Sequence, residues 1–149
     1  MEIPGRISDI LRQKSPDIYS IKPTAMVFEA IQLMVEKKVG ALAVMKGQEL
    51  FGVVTERDYM HKIIVRGKSS KNTEVGTIMT EKLITVGPEN SVTEALRLMT
   101  GERIRHLPVL EGKRMMGLVS IGDLVKWVIS AQDSALSQME SYISGGYPG

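Results

Sequence analysis

Two heptapeptides hold the polar residues whose types and spacing could do chemistry. Residues 52–58 read GVVTERD and residues 117–123 read GLVSIGD. In each, an apolar run ends on a hydroxyl, Thr55 or Ser120, and an acid follows three positions later, Asp58 or Asp123. A hydroxyl and an acid at that spacing form a helix N-cap and its N3 partner, worth about 1 kcal/mol per cap. A helix start at the end of a strand also suits a nucleoside phosphate. There the acid accepts two ribose hydroxyls, while the hydroxyl sits among exposed N–H groups that favour phosphate. The residues by themselves leave both readings open.

Other chemistries find little support. The chain has no cysteine, which excludes disulfides, thiolate metal sites and CxxC redox centres. His61 and His106 are the only histidines and have no metal-ligand spacing; His61 reads as a surface residue. There is no G-x-x-x-x-G-K-[ST], no H-E-x-x-H and no nucleophile elbow, so an enzyme acting on nucleotides lacks its usual parts. Two acids duplicated in register look like recognition rather than a division of acid and base roles. A formal charge of +2 and seven aromatic residues argue against nucleic-acid binding. No apolar run reaches the roughly 18 residues that span a bilayer, and Met1–Leu11 lacks a leader pattern, so no membrane association is expected. A cytoplasmic location is expected, and a mature mitochondrial form fits equally.

The elements that must position these residues are duplicated. Offset by 65 residues, Tyr19–Ile64 aligns with Ile84–Ile129 without a gap, and thirteen of 46 positions are identical, Gly52/Gly117 and Asp58/Asp123 among them. In each repeat a short apolar stretch (Tyr19-Ser-Ile or Leu83-Ile-Thr-Val) runs to Pro23 or Pro88 and predicts a strand. Val27, Ala30, Ile31 and Met34, like Val92, Ala95, Leu96 and Met99, recur at i, i+3, i+4 and i+7 and predict a helix with one buried stripe. Ser91 and Glu94 form a capping box for the second of these helices, whereas Met26 replaces the serine in the first.

Hairpins are predicted at Ala41–Met45 with Leu50–Val54 and at His106–Leu110 with Met115–Val119, then final helices over Asp58–Val65 and Asp123–Ala131. The order is β-α-β-β-α, twice, in an α/β (α+β) fold. Helical segments precede the repeats at Ile7–Leu11 and Val75–Met79, which sets the repeats at 7–66 and 75–131 with a polar linker at 67–74. A candidate amphipathic helix, Ala135–Ile143, and a Gly/Pro tail make up 132–149.

A duplicated β-α-β-β-α unit whose last strand closes on G-h-h-[ST]-x-x-D resembles the cystathionine-β-synthase (CBS) domain, over Ile7–Ala131. Arg57-Asp58-Tyr59, Ile78-Met79-Thr80 and Arg103-Ile-Arg-His-Leu-Pro-Val are similar to small single-pair proteins of bacteria and plant mitochondria, a subgroup without an attached catalytic domain. The resemblance implies tandem CBS repeats packed with pseudo-two-fold symmetry as one Bateman module. It further implies two clefts for adenosine nucleotides, and a homodimer. Its ligand is AMP first, with ADP, ATP, NAD(H) or S-adenosylmethionine as alternatives, and it implies a regulatory sensor acting on an unidentified partner protein. A ligand-free interaction scaffold is the alternative.

Carried over by position, Thr55 and Asp58 serve one cleft, Ser120 and Asp123 the other. Residues around the first two strands enclose the base: Ile21, Lys22, Gly40 and Ala41 in one repeat, Thr85, Arg105, His106 and Pro108 in the other. The copies differ, since Arg57 lies inside the first motif while Arg105 and His106 precede the second. Arg57 is therefore expected to charge one cleft, and Arg105 with His106 the other. Arg57 and Lys62 belong to a basic run with Arg66, Lys68 and Lys71; these two are expected to contact phosphate and the rest to face solvent.

Overall fold

The computed structural model describes residues 3–143. Apolar periodicity becomes helix where expected: α1 spans Ile7–Gln13, α2 Val27–Lys37 and α4 Val92–Glu102. In α2 the stripe residues Val27, Ala30 and Met34 are buried, and in α4 Val92, Ala95 and Met99 take the same places. Ser91 caps α4 by accepting from the Glu94 N–H at 3.0 Å. Met26 has no side-chain oxygen to offer α2, so the Glu29 N–H turns to the Met26 carbonyl at 3.0 Å, and the linker accepts from the first two amides. The Val27 and Phe28 N–H groups donate to the carbonyls of Thr73 and Ser70 at 2.8 and 2.9 Å.

In the first repeat β1 (Ser20–Ile21) runs parallel to β2 (Ala41–Lys46), which pairs antiparallel with β3 (Glu49–Thr55). In the second, β4 (His106–Glu111) pairs with β5 (Arg114–Ser120), and both hairpins carry an irregularity at the same place, Val44/Met45 and Val109/Leu110. The strand expected at Leu83–Val86 is reduced to one bridge, Val86 to Val109. Pro108 is the reason. Its counterpart Ala43 donates its N–H to the Tyr19 carbonyl at 3.2 Å, and a proline has no N–H with which to hold Ile84 in the same way.

Two further expectations are corrected. The helix expected over Asp58–Val65 is a short α3, Glu56–Tyr59, followed by a π-helical turn, Met60–Ile64. The helices expected at 123–131 and 135–143 are one continuous α5, Ile121–Ile143, because Gln132-Asp133-Ser134 contains no residue that breaks a helix. The Gly/Pro tail lies outside the described residues.

The two cores exchange segments relative to chain order. Ile7 and Ile10 of α1 pack with Val92, Ala95, Leu107, Val109, Val119 and Leu124 of the second repeat. Val75 and Ile78, around a 3-10 turn at Val75–Thr77, pack with Val27, Met34, Leu42, Val54 and Ile63 of the first. Each exchanged segment passes close over a strand glycine. A Cβ on Gly52 would lie 2.7 Å from the Thr80 carbonyl oxygen, whereas one on Gly117 would meet only a methyl group of Leu11, also at 2.7 Å. Backbone cannot yield as a leucine methyl can. Gly52→Ala should therefore lower stability by about 1–3 kcal/mol and Gly117→Ala by less, as read from urea unfolding; equal losses would show that both crossings are equally rigid.

Candidate functional site

Both heptapeptides form complete capping boxes. The Asp58 N–H donates to Thr55 Oγ1 at 3.1 Å, and the Thr55 N–H and hydroxyl donate to Asp58 Oδ2 at 3.0 and 3.1 Å. The Asp123 N–H donates to Ser120 Oγ at 3.1 Å, and the Ser120 N–H to Asp123 Oδ2 at 2.8 Å. The structural half of the sequence reading is thus realised at each motif. What surrounds the two acids differs.

Asp58 is the one buried charged residue among those described. Burial requires every lone pair and the charge itself to be answered. Thr80 donates its hydroxyl to Oδ1 and Oδ2 at 3.1 and 3.3 Å, and Lys62 places Nζ 2.9 Å from Oδ1 while donating to the Ile78 carbonyl at 2.8 Å. Thr80 also bonds β3 through its backbone, N–H to the Val53 carbonyl at 2.8 Å and carbonyl to the Val53 N–H at 3.0 Å. Asp58 therefore ties together a helix start, a strand and the segment leading into the second repeat.

At the second motif Trp127 stands where Lys62 does in the first, and its indole N–H donates to the Pro4 carbonyl at 2.7 Å. The counter-charge comes from elsewhere. Lys14, just past α1, donates to Asp123 Oδ2 at 2.6 Å and to the Leu118 carbonyl at 2.8 Å. Leu118 and Asp123 are the repeat equivalents of Val53 and Asp58, so one ammonium group replaces both the Thr80 and the Lys62 contacts. Neither Thr80 nor Lys14 was singled out from the sequence. The Ile-Met-Thr before the second repeat was a visible signal for the first; Lys14 had none, because its partner is 109 positions away.

A cavity of about 1000 Å³ opens beside Asp58, at the upper end of the range for small-molecule sites. From the first repeat it is lined by Gly40, Thr55, Arg57, Asp58 and Lys62, and from the second by Arg105, His106 and Pro108. These eight of the fourteen candidate residues are brought together. Ser120, Asp123, Ile21, Lys22, Ala41 and Thr85 do not line it. Arg57, Arg105 and His106, expected in separate clefts, line the same cavity, to which both repeats contribute. Of the basic run, Arg57 and Lys62 line it and Arg66, Lys68 and Lys71 do not.

Residues missed in the sequence supply most of its remaining wall. Leu83, Ile84, Met99, Ile104 and Ile121 make it apolar, while Lys82 and Arg103 add charge. Met99 shows why the wall was hard to foresee, since one side chain both fills the core and faces the cavity. The Arg57 guanidinium donates to the Arg103 carbonyl at 3.1 Å, closing the two repeats across one edge.

His106 is half-buried, and burial holds its imidazole below the ordinary value near 6.5; Asp123 opposes the shift, while Lys14 and Arg105 reinforce it. His106 is thus neutral at pH 7. A histidine whose folded value is depressed contributes stability fully above about pH 6.5, lost as pH falls towards the folded value, since the unfolded chain takes up the proton first. The melting temperature should fall between pH 7.5 and 5.5 more steeply in wild type than in His106→Asn; parallel slopes would show that His106 titrates freely.

The geometry has parallels in known proteins. The family model described as CBS domain matches residues 7–65 and again 75–130. A mitochondrial CBS domain-containing protein of Arabidopsis thaliana is 52% identical over 126 residues, 81% of this chain and 61% of that protein. The chain thus spans less than two thirds of that relative's length. A CBS-domain protein of Burkholderia ambifaria, described as acting in signal transduction, has 46% identity and a TM-score of 0.83, covering 86% of this chain and 96% of that one. A CBS domain pair solved with 5′-methylthioadenosine and S-adenosyl-L-methionine shares the fold at a TM-score of 0.72 and 21% identity, over 82% of this chain and 94% of that one. Among the described residues no helix is long and apolar enough to cross a membrane.

Proposed function

Since this chain belongs to the CBS-domain family, whose pairs are in general regulatory nucleotide-binding modules, we propose that it is a sensor of adenosine nucleotides and that the cavity beside Asp58 is its principal site. One observation carries this. A buried carboxylate, capped by Thr55 and paired through Oδ1 with the part-exposed Lys62, borders a cavity lined by cations and by apolar side chains. Ribose, phosphate and base each meet a matching surface there. The ribose hydroxyls take the place of Lys62 on Asp58 Oδ1, and Lys62, whose side chain is one-third exposed, is free to turn to the phosphate. The base lies against Ile84, Ile104 and Pro108. AMP carries the minimum that the motif addresses, one ribose and one phosphate. That a pair of the same fold holds two adenosine compounds supports the ligand class.

Signalling follows from where the cavity lies. Its walls come from both repeats, so a ligand that touches both favours one relative packing and alters the surface offered to a partner protein, with a coupling of about 1–3 kcal/mol. The homodimer is part of the same reading. Met60 and Ile64 in one repeat and Val125 and Ile129 in the other are equivalent positions, all 46–57% exposed and all apolar. A wild-type chain sedimenting at the mass of one copy would remove the dimer. The module works without nucleic acid or membrane, in the cytoplasm or, like the Arabidopsis relative, in the mitochondrion.

AMP, ADP and ATP should each raise the melting temperature of the wild type, because a ligand that binds only the folded state stabilises it by RT ln(1 + [L]/Kd). Asp58→Asn should abolish the shift and Asp123→Asn should leave most of it. Failure of every adenosine compound would leave both motifs as helix caps on an interaction scaffold.

A further inference from the structure

Charge is distributed unevenly around the cavity. Five cations line it against two carboxylates, Glu56 and Asp58, an excess of three. Lys62 is paired with Asp58; Arg57, Lys82, Arg103 and Arg105 form no ion pair among the described residues. All four are exposed, so water and salt screen their mutual repulsion, and the excess positive charge around the cavity favours an anion that enters it.

Arg103 is the most informative of the four. It follows α4 in the left-handed conformation, φ 55° and ψ 45°, which favours glycine. Its repeat equivalent Lys38 has the same backbone, φ 57° and ψ 44°, so the fold imposes this conformation on both repeats. A cation at a helix C-terminus gains from the helix dipole, and for Lys38 that is sufficient. Arg103 does more, because it lines the cavity and its carbonyl receives Arg57 from the opposite repeat.

Resting on the nucleotide reading above, we propose that the cavity selects a nucleoside di- or triphosphate over a monophosphate, with Arg103 as a specificity-determining residue. Asp58, Thr55 and Lys62 serve the ribose and first phosphate. Arg57 reaches the further phosphates from the first repeat, and Lys82, Arg103 and Arg105 reach them from the second. A polyphosphate thereby neutralises cations of both repeats at once, which a monophosphate held at Asp58 leaves facing one another.

Binding of AMP, ADP and ATP, measured by isothermal titration without divalent cations on wild type, Arg103→Gly and Lys38→Gly, tests this. In wild type, ADP and ATP should bind at least about tenfold more tightly than AMP, with the advantage shrinking as salt is raised. Arg103→Gly should erase most of that advantage, leave AMP unchanged, and melt no lower than wild type, since glycine suits the left-handed position. Lys38→Gly should leave all three affinities as they were. Equal affinities of AMP, ADP and ATP in wild type, or an Arg103→Gly variant that retains the full preference, would overturn the proposal while leaving the adenosine site standing; absence of binding by all three compounds would instead remove the site itself.

Discussion

The carboxylate of Asp58 is the constraint on which the rest of the structure depends. A buried charge is tolerated only when hydrogen bonds and a counter-charge surround it, and here those groups come from three places: Thr55 at the start of α3, Thr80 on the segment entering the second repeat, and Lys62 in the π-helical turn. Thr80 is fixed in turn to β3, and Gly52 leaves room for that crossing. Removing the acid would therefore loosen the helix start, the crossing and the cavity wall together. A ligand that replaces Lys62 would exchange one partner and leave the other two in place.

The second motif shows what the same constraint does with different neighbours. Trp127 in place of Lys62 gives no cation at i+4, and the N-terminal segment provides one through Lys14. The exchange of core segments makes this possible, because α1 packs in the second repeat and delivers its last turn to Asp123. Two copies of one motif thus have unequal surroundings: one acid faces a cavity, and the other is held by a lysine from the far end of the chain. The two motifs share their backbone capping bonds and differ in the charges around them.

Much of this fold was legible because the repeat states its elements twice. Apolar spacing located α2, α4 and both hairpins, and the heptapeptides located both capping boxes. What escaped depends on partners that local sequence does not name. Nothing in Ile7–Leu11 says that its apolar face belongs to the second repeat. The loss of the first strand in that repeat rests on one missing N–H at Pro108, whose consequence appears only once Ala43 is seen bonding Tyr19. Around the cavity, Thr55 and Asp58 could be read from their spacing as helix caps and from the family resemblance as cleft residues, whereas Lys82 and Arg103 are ordinary surface cations until the repeats are placed face to face. The pairing of Arg57 with Arg105 and His106 in one cavity was missed for the same reason, since spacing within a repeat does not say which opposite wall it meets.

The most direct test of the account is a crystal structure of the protein grown with ADP. Nucleotide density is expected in the cavity between the repeats, its ribose hydroxyls within hydrogen-bond distance of Asp58 and the Lys62 ammonium withdrawn from that carboxylate. Nucleotide bound elsewhere, with the Asp58–Lys62 pair intact and the cavity holding only water, would contradict it.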